Sequence, residues 1–161
     1  MNMAVSGADW LHRHAQQVNA LNVFPVPDGD TGTNMSLTMN FGVKELKEKA
    51  SARIGTSAEV LSKGLLMGAR GNSGVILSQL FRGFAKGVAG RDEISAADFA
   101  AALRQGVDTA YQAVVKPVEG TILTVAREAA DHAVKYARRT SDIAELMRET
   151  LRAAEETLAK T

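Results

Sequence analysis

Pro-Val-Pro-Asp-Gly-Asp-Thr-Gly-Thr-Asn-Met, residues Pro25–Met35, gathers polar groups into one turn ahead of a long helical pattern. Asp28 and Asp30 flank Gly29, so a bend at the glycine would aim both carboxylates at one point. Two carboxylates there repel each other unless a cation lies between them, and a divalent ion with oxygen ligands is the expected guest. For these three residues taken alone, an ordinary tight turn is the alternative interpretation.

The residues after the carboxylates favour a phosphate ligand. Gly32 permits close backbone approach, and Thr31, Thr33 and Asn34 add hydroxyls, an amide and free N–H groups at a helix start. A metal beside a phosphate predicts a magnesium–nucleotide complex, because Mg²⁺ is commonly held by one or two carboxylates and by the oxygens of the phosphate.

A second informative stretch is Gly64–Gly74, Gly-Leu-Leu-Met-Gly-Ala-Arg-Gly-Asn-Ser-Gly. An interior glycine costs a helix up to about 1 kcal/mol relative to alanine, so four in eleven residues imply close packing or close ligand approach. Asn72 and Ser73 lie where a new helix begins. Phosphate binding and simple capping are both open here, and the stretch lacks the Gly-Lys-Ser/Thr ending of a Walker loop.

A third turn, Lys116–Ile122, ends one helix and begins another. Thr121 places a hydroxyl at that helix start, and on this stretch alone a capping role is favoured over a ligand role.

Apolar residues at helical spacing predict an all-α chain with seven helices and no strand. The predicted starts are a Ser6 cap, Asn34, about Ser57, Ser73, a Ser95 cap, the residue after Gly120 and a Ser141 cap. All three prolines, Pro25, Pro27 and Pro117, fall in predicted loops.

These three stretches resemble the N-terminal nucleotide-binding domain of bacterial fatty acid kinase, within the wider family of the nucleotide-binding subunit of dihydroxyacetone kinase. The likeness covers nearly the whole chain. It implies an antiparallel helical barrel that holds ATP or ADP and two Mg²⁺ ions at one end. Residues 1–161 would form a single kinase domain with about seven of eight helices, truncated before the closing loop and the last helix.

The resemblance also implies roles for particular residues. Asp28 and Asp30 would be magnesium ligands, and Asn22 is the nearest counterpart of a third aspartate found in dihydroxyacetone kinases. The remaining implied nucleotide contacts are Thr31, Gly32, Thr33, Asn34, Asn72, Ser73, Thr121 and Ile122.

The resemblance further implies phosphorylation of a fatty acid carboxylate, presented by a DegV-type binding protein, to give an acyl phosphate. The truncated chain is expected to be weakly active or inactive alone. Thr31 favours this branch, since dihydroxyacetone kinases have His at that position. A dihydroxyacetone-type kinase subunit, a nucleotide-sensing module without catalysis and a purely structural bundle are the alternatives.

Composition excludes several other classes. Cysteine is absent, which excludes thiolate and iron–sulfur chemistry and fits a cytoplasmic protein. Lys plus Arg number 19 against 18 acidic residues, a net charge of +1 that gives no reason to expect nucleic acid as a partner. No signal peptide or membrane span is predicted. Apolar surface left by a missing helix would favour a homodimer.

Overall fold

The computed structural model describes residues 1–24, 26–49 and 51–161. Pro25, predicted to lie in a loop, falls outside the described residues, whereas Pro27 and Pro117 lie in connections between helices as expected. Within those ranges every regular element is a helix, which confirms the all-α prediction. The helices are α1 (Asn2–Ala20), α2 (Thr31–Glu48), α3 (Ile54–Gly68), α4 (Gly71–Gly87), α5 (Ala96–Ala113), α6 (Ile122–Tyr136) and α7 (Ile143–Lys160).

Consecutive helices pack side by side and run antiparallel. Between α1 and α2, Asn19 bonds to Thr33 while His12 bonds to Ser36, so residue numbers rise along one helix as they fall along the other. The same order holds for every later pair in the chain. Gly83 of α4 lies against Gly106 of α5 while Gly87 lies against Ala102, and His132 of α6 bonds to Glu149 of α7 while Tyr136 bonds to Glu145.

The seven helices surround an apolar cavity of about 470 Å³. Leu61 of α3, Phe84 of α4 and Ala130 of α6 are among its walls, and α1, α2, α5 and α7 also contribute. Among the described residues α1 packs on α2 alone and α7 on α6 and α5, so the ring of helices is open between α1 and α7.

Paired glycines bring neighbouring helices into close contact. A Cβ added to Gly83 of α4 would lie 2.5 Å from the Cα of Gly106 in α5. A Cβ added to Gly64 of α3 would lie 2.8 Å from the Cα of Gly42 in α2. Only a residue without a side chain permits such approach, so these glycines compensate for their low helix propensity through packing.

Helix starts agree with the sequence patterns at two places. Ser95 caps α5 in a capping box with Asp98, each side chain bonded to the other residue's backbone N–H. Thr121 caps α6, because its hydroxyl accepts from the N–H of Leu123 at 3.3 Å. Both caps are local in sequence, and local signals are what pattern analysis detects.

At other starts the predictions were wrong by one to five residues. Helix α1 begins at Asn2, ahead of Ser6, and α2 at Thr31, ahead of Asn34. Helix α4 begins at Gly71 instead of Ser73, and α7 is capped by Asp142 instead of Ser141.

The early start of α3 at Ile54, ahead of Ser57, has a tertiary cause. The N–H groups of Ile54 and Gly55 donate to the carbonyls of Asp92 and Arg91, at 3.2 and 2.9 Å. The connection between α4 and α5 therefore caps a helix some forty residues earlier in the chain, and no local pattern signals such a cap.

None of the helices in the described ranges is long and apolar enough to cross a membrane.

Candidate functional site

Three connections lie at one end of the helical ring. Because consecutive helices alternate in direction, the connections α1–α2, α3–α4 and α5–α6 must share an end. These connections contain the three turns that the sequence analysis singled out.

The first connection is held in shape by Asn22. Its side-chain oxygen accepts from the N–H of Asp30 at 3.2 Å, and its Nδ2 donates to the carbonyl of Val26 at 3.1 Å. Gly29 has φ = 67°, a backbone conformation that favours glycine and lets the chain reverse between the two aspartates. Asn22 therefore braces the loop, and its predicted role as a metal ligand stays a prediction.

The side chains of Asp28 and Asp30 are exposed. Neither carboxylate has a hydrogen bond or an ion pair with any residue that the structure describes. Ionised carboxylates without protein partners are free to bind a cation.

Asn19 of α1 makes a two-point contact with Thr33 in the first turn of α2. The N–H of Thr33 donates to the Asn19 side-chain oxygen at 3.0 Å, and Asn19 Nδ2 donates to the Thr33 hydroxyl at 2.9 Å. The Asp30 side chain, at the N-cap position of α2, makes no cap bond. Asn19 from α1 instead accepts the hydrogen bond from the Thr33 N–H that an N-cap side chain would normally accept. The sequence analysis missed Asn19, because a partner fourteen residues away leaves no local signature.

The second turn lies directly against the first. Gly71 has φ = 64°, and a Cβ there would lie 2.6 Å from the side-chain nitrogen of Asn34. A Cβ on Gly74 would lie 2.4 Å from the hydroxyl of Thr38, which is fully buried in α2. The start of α4 is thus seated on the start of α2. The hydroxyl of Ser73 and the side chain of Asn72 lie in the first turn of α4.

The glycine run of the second stretch has one structural explanation. Gly64, Gly68, Gly71 and Gly74 all face α2, where added Cβ atoms would meet Gly42, Phe41, Asn34 and Thr38 respectively. Close packing explains the run, and the same packing brings the two turns together.

The third turn is fixed by a polar network around Glu119. Its carboxylate accepts from the hydroxyls of Tyr111 and Thr124, at 3.2 and 2.7 Å, and from the guanidinium of Arg127 at 2.9 Å. These donors, the Thr124 hydroxyl foremost, hold the pKa of Glu119 below its ordinary value. Gly120 has φ = 80°, and its N–H donates to the Thr124 hydroxyl at 2.8 Å.

The predicted residues therefore fall into two groups. Asp28, Asp30, Thr31, Thr33 and Asn34 lie at or just before the start of α2, which adjoins the start of α4 with Asn72 and Ser73. Gly32 is buried against α1, where an added Cβ would lie 2.1 Å from the carbonyl oxygen of Ala15. Thr121 and the half-buried Ile122 lie at the same end, but among the described elements α6 packs only on α5 and α7.

The donor set fits a cation with few protein ligands. No group of three or more His, Cys, Asp or Glu side chains that could hold a metal occurs in the described ranges. Asp28 and Asp30 supply two carboxylates, which matches the one or two that Mg²⁺ commonly takes from protein while water and phosphate supply the rest. Sites that need three or four protein ligands, such as structural zinc, do not fit this pair.

The chain is an all-α ring of helices with two exposed carboxylates and two adjoining helix N-termini at one end, and helix N-termini favour anions. The sequence model of the DAK2 domain matches residues 25–161. The chain therefore belongs to the DAK2 domain family, whose domain is the nucleotide-binding subunit of dihydroxyacetone kinase-like proteins.

Several bacterial proteins are more than half identical to this chain over the segment that they share with it. Protein YloV of Bacillus subtilis (strain 168) is 57% identical over 159 residues, which is 99% of the chain and 29% of the relative. Uncharacterized proteins of Staphylococcus saprophyticus and of Staphylococcus aureus (strain USA300) are 57% and 54% identical, with the same shares covered. The chain thus spans about 29% of the length of these relatives.

Proposed function

We propose that this chain is the magnesium–nucleotide-binding domain of a kinase that phosphorylates a fatty acid carboxylate. One observation carries the nucleotide part. Asp28 and Asp30, whose carboxylates have no partner among the described residues, directly precede the start of α2, and the start of α4 lies against it. Phosphoryl transfer requires charge neutralisation and alignment more than covalent chemistry by the protein. This end of the ring offers groups suited to both tasks.

Particular groups would bind each part of the ligand. The N–H groups of Thr31, Gly32 and Ser73 have no backbone acceptor in the described residues, and they lie at helix N-termini that favour anions. Asp28 and Asp30 would hold Mg²⁺, which when bound neutralises phosphate charge. Asn34 and Asn72 add amides on either side of the junction. Thr121 and Ile122 would contact the adenosine side.

The acceptor rests on the resemblance of the first stretch. Thr31 stands where dihydroxyacetone kinases have His, which favours a fatty acid over a small hydroxy-ketone. The acceptor would arrive bound to a DegV-type protein, as the same resemblance implies.

Binding calorimetry with ATP and Mg²⁺ tests the nucleotide part. We expect Asp28→Asn and Asp30→Asn each to weaken the magnesium-dependent binding by at least about tenfold, because each removes a charged ligand. Asp9→Asn, an exposed carboxylate in the middle of α1, is the matched control and should bind as the unchanged protein does. Unchanged affinity in both loop variants would refute the metal assignment.

A chimaera tests the acceptor. In the full-length Bacillus subtilis relative, this chain would replace the segment that it matches. We expect ATP-dependent formation of acyl phosphate from a fatty acid bound to a DegV-type protein, and no phosphorylation of dihydroxyacetone. The opposite preference would favour a dihydroxyacetone-type kinase. Nucleotide binding without transfer to either acceptor would favour a nucleotide-sensing module.

A further inference from the structure

The geometry points to Thr38 as a positioning residue that sets the spacing between the two phosphate-binding turns. This inference rests on the proposed nucleotide function and extends it to a residue that the nucleotide itself does not touch. Thr38 lies in α2 one helical turn beyond Asn34 and is 0% exposed.

The Thr38 hydroxyl has a fixed hydrogen-bonding direction. It donates to the carbonyl of Asn34 at 2.7 Å and accepts from the backbone N–H of Arg70 at 3.1 Å. Because a carbonyl can only accept and an N–H can only donate, the hydroxyl proton has one orientation that satisfies both partners.

The second of these bonds is the unusual one. A threonine inside a helix often donates to the carbonyl four residues earlier, and that bond alone would be unremarkable. Arg70, however, belongs to the connection that begins α4, thirty-two residues away. The Thr38 hydroxyl thus links Asn34, near the start of α2, to Arg70, the residue directly before the start of α4.

The two turns are in close contact at the place where this tie joins them. Gly71 and Gly74, on either side of Ser73, lie so close to Asn34 and Thr38 that an added Cβ would come within 2.6 and 2.4 Å of their polar atoms. Without the hydroxyl, the N–H of Arg70 loses its acceptor in this close contact, and the start of α4 must shift to find another.

The effect of losing the Thr38 hydrogen bonds on nucleotide affinity should depend on the number of phosphates in the nucleotide. A nucleotide with two or three phosphates would contact both helix starts, so its affinity depends on their separation. A ligand with one phosphate needs only one of them. Loss of the Thr38 tie should therefore weaken ATP and ADP much more than AMP, a difference that a general loss of stability would not produce.

Thr38→Val tests this inference, because valine has nearly the shape of threonine without the hydroxyl. Thr38→Ser restores the hydroxyl, and Thr150→Val is the matched control. Thr150 makes the same bond to the carbonyl four residues earlier, Leu146 at 2.7 Å, but lies in α7, far along the ring from these turns. Affinities for AMP, ADP and ATP with Mg²⁺ are measured by calorimetry well below each variant's unfolding temperature.

We expect Thr38→Val to weaken ATP binding by about tenfold or more, with little change for AMP, and we expect Thr38→Ser and Thr150→Val to stay within about twofold of the unchanged protein. Equal affinities for Thr38→Val and the unchanged protein would overturn the inference while leaving the nucleotide function intact. Absence of ATP binding by the unchanged protein would overturn both. If Thr38→Val shows no cooperative unfolding, Thr38→Ala replaces it with the same expected pattern.

Discussion

Thr33 lies in the first turn of α2, yet the side chain that satisfies its N–H comes from α1. Its N–H, predicted to be free at the helix start, donates to Asn19, and its hydroxyl accepts from Asn19. The contact of Thr33 with a nucleotide stays a prediction. Thr31, Gly32 and Thr33 follow the aspartates as the sequence analysis described. What that analysis could not supply was the partner, because Asn19 becomes adjacent to Thr33 only when α1 folds back along α2.

Asn19→Ala should lower the free energy of unfolding by about 1 kcal/mol, because the Thr33 N–H loses its cap. Urea denaturation measures the change. Asn40→Ala is the control, since Asn40 is exposed in the interior of α2 without a hydrogen bond among the described residues and gains the same helix propensity. Equal effects of the two substitutions would show that the Asn19 contact contributes nothing.

The seven helices were predictable from the sequence, whereas most of their exact starts were not. The apolar spacing of each segment gave seven helices, and the local caps at Ser95 and Thr121 were found from sequence. The start of α3 was missed because carbonyls of Arg91 and Asp92 cap it. The glycines that lower helix propensity were recognised as costly, but only the fold shows which neighbour each one packs against.

Gly83→Ala should destabilise the protein by about 1–3 kcal/mol, because the new Cβ would lie 2.5 Å from backbone atoms of α5. Gly7→Ala offers the opposite case in α1, where nothing lies within 4 Å of the added Cβ. There the gain in helix propensity should stabilise the protein by up to about 1 kcal/mol. Thermal unfolding of both variants checks the pair, and a stabilising Gly83→Ala would contradict the close packing of α4 on α5.

At the scale of the whole molecule, antiparallel order brings the three polar turns to one end of the ring. Sequence reasoning identified each turn beside a helix start, and the family resemblance implied that they share a ligand. Neither the sequence pattern nor the resemblance predicted the hydrogen bonds of Thr38, which join the first two polar turns. The third turn is held separately, by Glu119, Tyr111 and Arg127, on helices that contact the rest of the ring through α5.

The thermal unfolding midpoint tests the central claim, magnesium-dependent nucleotide binding, most directly. It would be measured with ATP and Mg²⁺ together, with each alone, and with both plus a chelator. A ligand at about 100 times its dissociation constant stabilises the folded state by about 2.7 kcal/mol, which corresponds to a rise of about 5–10 °C for a chain of this size. The account predicts that rise only when both components are present. No rise with both at millimolar concentration, or an equal rise with ATP in the presence of chelator, would contradict it.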